Sequence, residues 1–150
     1  MHDHDFIEFP ELRNNQLEEH QFSSPHAQIT ADFEADVVKV HDGDTITLTT
    51  NFRDFEFPLR LIGLDAPEMN EGGETARDWL KAKLLHKRIL VMVDPQNRVD
   101  KWGRLLGIVF YLGMDVGQEE IHLGLAVPFE QRKEGELPIL SKMFSLKQWF

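Results

Sequence analysis

Two runs rich in β-branched residues, 37–40 and 45–50, stand on either side of Asp42-Gly43, a dipeptide that turns a chain back on itself. That pattern is a β-hairpin, and it starts a sheet. Residues 55–64 extend it, because Phe55, Phe57, Leu59 and Leu61 alternate with Glu56, Pro58 and Arg60, which puts Arg60 on the polar face. Pro58 has no N–H for a ladder, so it marks an edge or a bulge. Residues 89–93 and 105–111 read as a fourth and a fifth strand.

Helices fill the gaps. Residues 74–87 carry Ala76, Trp79, Leu80 and Leu84 along one inner stripe, with Arg77, Asp78, Lys81, Lys83 and Lys87 on the wet face. A second helix is predicted over 116–125, and a third over 137–150, starting near Pro138 or Ser141 with Ile139, Met143, Leu146 and Phe150 along one side. The sum is an α+β, mainly β, class: a five-stranded OB-type Greek-key barrel with two to three flanking helices.

At 150 residues the chain is one domain of ordinary size, which buries roughly 70% of its unfolded surface and needs no staple. Cysteine is absent, which excludes a disulfide-framed scaffold. Met1-His2-Asp3-His4-Asp5 lacks the basic and apolar regions of an export signal, and no stretch reaches the length of a membrane span. The expectation is a soluble protein with no membrane partner, intracellular or virion-associated.

Charge divides the chain. Residues 1–36 hold nine acids against Arg13 alone, a net of −8 within a total of −10. The remaining 114 residues are close to balance, 15 Lys and Arg against 17 Asp and Glu. A near-neutral body suits a protein that binds and releases nucleic acid better than a tight sequence-independent binder. Three regions follow: an acidic extension, 1–35; a barrel domain, 36–128; and a charged loop with a C-terminal amphipathic helix, 129–150. The extension has turn formers and no sustained period. Phe6, Ile7, Phe9, Leu12, Leu17 and Phe22 either lie against the body or ride on a mobile arm, and the arm's charge either is solvated or covers the cationic groove and competes with substrate. The acidic arm and the apolar C-terminal helix are the two candidate protein-contact surfaces.

Three segments carry the chemistry: Val40-His41-Asp42-Gly43-Asp44-Thr45, then Leu59-Arg60-Leu61 with Asp65-Ala66-Pro67-Glu68, then Asp100-Lys101-Trp102-Gly103-Arg104. Each alone is a plausible turn. Together they supply carboxylates and a main-chain carbonyl for a hard cation such as calcium, a further carboxylate and two arginines, the parts of a metal-dependent phosphodiesterase. Neither sulfur nor clustered imidazole points to zinc. Arg60 and Asp65 are five apart and would face opposite ways in a straight strand, so the alternation must break, with Gly63 the obvious place and Pro67 ending the strand.

Those segments, in that order, resemble the three signature segments of the thermonuclease family, the micrococcal or staphylococcal-type nucleases, over about residues 36–127. The resemblance implies an OB-type barrel and calcium-dependent hydrolysis of DNA and RNA with 3′-phosphate products. By position, Asp44, Asp65 and the Ala66 backbone carbonyl resemble the calcium ligands, with Asp42 behind them. Glu68 matches the carboxylate that orients or deprotonates the attacking water. Arg60 and Arg104 match the pair that grips the phosphate, and Lys101 and Trp102 fall where the family contacts the nucleotide. Phe129 is the nearby candidate for an aromatic contact after the second helix. The alternatives are a nuclease-like fold kept as a nucleic-acid-binding module, and an assembly protein working through the arm and the tail. Retention of Asp44, Arg60, Asp65, Glu68 and Arg104 weighs against the binding module.

Overall fold

The computed structural model describes residues 5–20 and 24–129. In chain order its elements are α1 (Asn14–His20), β1 (Phe33–Val40), β2 (Thr45–Thr50), β3 (Arg53–Leu61), β4 (Leu64–Asp65), α2 (Gly73–Leu84), β5 (Arg88–Met92), β6 (Leu105–Tyr111), β7 (Met114–Asp115), α3 (Val116–His122) and β8 (Val127–Pro128). The predicted hairpin is β1 and β2, antiparallel with Asp36 opposite Thr49 and Val40 opposite Ile46. β3 returns along β2 with Thr45 opposite Arg60. Its alternation holds, for Phe57, Leu59 and Leu61 are buried while Asp54 and Glu56 are exposed.

β5 pairs with the start of β1, and β6 with β5, both antiparallel. Closure comes from β3 and β6, which run parallel with Leu59, Arg60 and Leu61 opposite Leu105, Leu106 and Gly107. The result is a closed, mixed five-stranded barrel of OB type with helices around it, as the sequence leads one to expect. Val37, Ile46, Leu48, Leu59, Val91 and Leu105 fill the interior, and Leu80 and Leu84 of α2 and Val116 of α3 join the same cluster. Pro58 precedes the residues that pair with β6, so among the described residues β3 is paired at that position on the β2 side alone.

Several boundaries move. α2 stops at Leu84 rather than Lys87, because Leu85 leaves the helix and His86 takes a left-handed φ of 65°. α3 ends at His122, before Leu125, where Leu123 and Gly124 close the last turn. Lys83, read as wet, bridges α2 to α3 by an ion pair of 3.0 Å with Glu119. The predicted helix over 137–150 lies outside the described residues. No helix among the described residues is long and apolar enough to cross a membrane.

β1 begins at Phe33, within the stretch read as extension, and the segment before it is packed. Leu12 is fully buried. Glu11, 2% exposed, accepts from Arg53 and, at 3.1 Å, from Arg98, which is equally buried. Burial lowers the pKa of both guanidinium groups and the Glu11 carboxylate opposes that shift. Removing Glu11 would strand two buried cations, a change that costs about 3–5 kcal/mol for a broken buried pair.

Gly43 does not adopt the positive φ expected of a tight hairpin turn. Its missing side chain is needed for another reason: a Cβ there would stand 2.7 Å from Ala66 Cβ, 2.8 Å from Ala76 Cβ and 2.9 Å from Glu120 Oε1. The hairpin loop thus rests directly on α2, α3 and the segment after β4. Gly43→Ala is expected to destabilise the fold by about 1–3 kcal/mol, read as a lower denaturant midpoint at unchanged m-value. An unchanged midpoint would mean that this contact yields freely.

Candidate active site

Barrel closure sets the site. Leu59 stands opposite Leu105, so Arg60, one residue later on β3, and Arg104, one residue before β6 begins, flank a single paired position although they are far apart in sequence. Both line one cleft of about 740 Å³.

The alternation of β3 breaks at the predicted glycine. β3 ends at Leu61, Gly63 takes a φ of 83°, and β4 resumes at Leu64. Asp65 therefore returns to the face of Arg60, whose Nη2 donates to Asp65 Oδ1 at 3.1 Å. The same Nη2 is 3.5 Å from Asp44 Oδ2, and Nη1 donates to the Leu61 carbonyl. Asp44 arrives from the hairpin loop, held by its carbonyl, which accepts from Leu61 N at 2.8 Å, and by Oδ2, which accepts from Ala66 N at 2.9 Å. Behind it, Asp42 Oδ1 accepts from Asp44 N at 3.0 Å. Asp42, Asp44, Asp65 and Ala66 thus meet at one end of the cleft. Among the described residues, no three His, Cys, Asp or Glu side chains form a ready-made metal cluster.

Glu68 lines the cleft and is exposed. Its backbone carbonyl accepts from Glu71 N at 2.8 Å and Gly73 N at 2.9 Å, a turn that fixes where its side chain departs, while its carboxylate caps nothing. Also lining the cleft, Arg104 Nε donates to Asp100 Oδ2 at 2.7 Å, and Asp100 Oδ1 accepts from the backbone of Trp102 and Arg104. Asp100 is therefore the residue that aims Arg104, a role the sequence analysis did not assign. Trp102 is 61% exposed, with Lys101 Nζ 4.5 Å and Arg104 Cζ 5.3 Å from its ring centroid. Trp102 lines the cleft and Lys101 does not. Phe129 does, carried there because β8 pairs with β4, Val127 opposite Asp65, and Phe129 N donates to the Gly63 carbonyl at 3.2 Å.

Glu120 was missed. It is fully buried, against Gly43, and neither carboxylate oxygen has a hydrogen-bond partner among the described residues. The available signal was its spacing: Val116 and Glu120 are four apart on α3, hence on one inward face. Burial, with Asp44 and Asp42 nearby, pushes its pKa up to about 9. Burial also raises Asp44 to about 6, against the pull of Arg60. Since the folded pKa of Glu120 lies above its ordinary 4.5, the stability it supports is complete below that value and is lost as pH rises toward about 9. Glu120→Gln, measured by denaturant unfolding in chelator, should match the parent near pH 4 and exceed it by about 3–5 kcal/mol at pH 8. Equal stability at both values would show that the buried carboxyl is not under electrostatic stress.

The profile of a family described as staphylococcal nuclease homologue matches residues 58–145. An uncharacterized endonuclease of Escherichia coli O157:H7 is 33% identical over 115 residues, which cover 75% of this chain and 72% of the relative. A micrococcal nuclease of Shigella flexneri is 36% identical over 81 residues, 53% of this chain and 44% of the relative. An uncharacterized endonuclease of Haemophilus influenzae is 28% identical over 96 residues, 63% of this chain and 52% of the relative. The family profile takes in more than half of the sequence and includes Arg60, Asp65, Glu68 and Arg104. This chain belongs to the staphylococcal nuclease family.

Proposed function

We propose that the protein is a calcium-dependent nuclease that hydrolyses phosphodiester bonds of DNA and/or RNA and leaves 3′-phosphate ends. The observation that carries this reading is the convergence of Arg60, Arg104, Asp44, Asp65 and Glu68, whose carboxylate has no hydrogen-bond partner among the described residues, on one open cleft. Family membership and the endonuclease and micrococcal nuclease names of the relatives support the nuclease class.

The donor set fits a hard divalent cation. Asp44 and Asp65 offer carboxylates and Ala66 a main-chain carbonyl, all oxygen and no sulfur, with Asp42 in support. The charge also fits, since Asp42, Asp44, Asp65 and the buried Glu120 crowd around one guanidinium, Arg60. Calcium held there would add positive charge next to the phosphate and lower the cost of the charge that develops on it.

The chain's own groups account for the remaining steps. Arg60 and Arg104 present planar donor forks to the phosphate oxygens, most strongly as charge accumulates there. Glu68, exposed and without a described hydrogen-bond partner for its carboxylate, takes a proton from the attacking water. The water oxygen bonds to phosphorus, the bond from phosphorus to the 5′ oxygen breaks, and that oxygen takes a proton from solvent water as it leaves, while the proton on Glu68 returns to solvent. Trp102 offers an exposed ring for base or sugar contact, with Lys101 beside it, and Phe129 a second aromatic surface at the rim.

The test is digestion of a single-stranded DNA oligonucleotide with calcium, with magnesium and with chelator. Cutting should require calcium. Glu68→Ala and Arg104→Ala should each lower kcat by about 10²–10³ with the fold intact, and Asp44→Ala should first weaken calcium binding. Binding without cutting in calcium would favour a nucleic-acid-binding module instead, and full activity in Glu68→Ala would remove its assigned role.

A further inference from the structure

The connection from β5 to β6 carries Asp100, Trp102 and Arg104 into the cleft, and a connection of that length has no rigid position of its own. Leu106 N donates to the Arg98 carbonyl at 2.8 Å and Val99 bridges Leu105, which ties the middle of the connection to β6. The bonds nearer the tip, Gly103 N to the Asp100 carbonyl at 3.0 Å and Asp100 N to the Arg104 carbonyl at 2.9 Å, are internal and shape the tip without fixing it against the barrel. The N-terminal segment touches it at three places. Near its start, Asn14 Nδ2 donates to the Pro95 carbonyl at 2.9 Å. In its middle, the buried Arg98 side chain donates to the carbonyls of Ile29 and Leu12, to Asn14 Oδ1 and to Glu11 Oε2, at 2.6 to 3.1 Å. At its tip, the Phe9 ring lies against Gly103, which has a φ of 87° and where a Cβ would stand 2.6 Å from Phe9 Cδ1.

We infer that residues 9–14 are a positioning element of the cleft: they hold the β5–β6 connection from behind and thereby set where Arg104 and Trp102 stand. No described residue of that segment lines the cleft, and Glu11, its buried acid, is turned to Arg53 and Arg98. Glu11 is thereby turned away from the cleft. Ordering the connection before substrate arrives removes a cost that binding would otherwise carry, and small displacements of a phosphate-gripping arginine are expensive in rate.

The inference rests on the nuclease reading for its consequence, but not for its first readout. Glu11 is a poor probe because its loss strands two buried cations, so the variant is Phe9→Ala, with Phe9→Leu as the conservative control, in the full chain. Amide exchange should accelerate at Gly103 and Asp100 in Phe9→Ala while the amides of β1 and β2 keep their protection. In the oligonucleotide assay kcat should fall about tenfold or more, and Phe9→Leu should restore most of both. Unchanged exchange at the tip overturns the inference, as does faster exchange throughout the barrel, which would make Phe9 a general packing residue. So does faster exchange at the tip with unchanged kcat. A parent that does not cut retires the nuclease reading alone; oligonucleotide affinity then takes the place of kcat, and an affinity untouched by Phe9→Ala overturns the inference.

Discussion

Everything in the cleft depends on the short parallel contact between β3 and β6. Antiparallel hairpins alone would leave the two ends of this sheet apart, each carrying one arginine and no shared target. A few residues of parallel pairing close the barrel and bring those two ends side by side at one cleft. The hydrophobic interior stabilises this closure, since Leu59, Leu61 and Leu105 are all buried where the strands meet. Core packing and the placement of charged groups are therefore one arrangement seen from its two sides.

The cost of that arrangement is electrostatic. Carboxylates from the hairpin loop, from β4 and from α3 are brought close together, one of them in the protein interior with its oxygens unsatisfied among the described residues. Buried groups of like charge resist ionisation, which accounts for the upward shifts of Asp44 and Glu120. Sites of this kind are common where a protein has chemistry to perform, because groups placed for function are not placed for stability.

Much of this was legible in the sequence, and for local reasons. Strand alternation put Arg60 on the polar side, and the five-residue spacing to Asp65 demanded a break that only Gly63 could supply cheaply. The hairpin, the face alternation of β3 and the span of β6 follow from periodicity and turn chemistry in the same way. What was not legible is long-range. Glu11 shows nothing in its neighbourhood to mark it as buried, because its partners Arg53 and Arg98 lie more than 40 residues away. Asp100 was quoted within a signature segment, yet its grip on Arg104 depends on the loop's folded shape. Gly43 was read as a turn former when its value lies in the room it leaves for Ala66, Ala76 and Glu120. Charge counting is blind at the arm for the same reason, since a net −8 describes a segment in bulk and says nothing about a single carboxylate, Glu11, that is turned inward.

Among the described residues, the half of β3 before the β6 contact has strand neighbours on one side only, and an open strand border can recruit a strand from another molecule. Here that border is obstructed. Pro58 has no N–H to donate, the Ala27 carbonyl accepts from Arg53 Nη2 at 3.0 Å, and the His26 ring stacks edge-on to Phe55 at 4.8 Å. The stretch that leads into β1 therefore also works as a guard against self-association: a chain trimmed before β1 would expose a ready template for intermolecular pairing, and with it a route to aggregation.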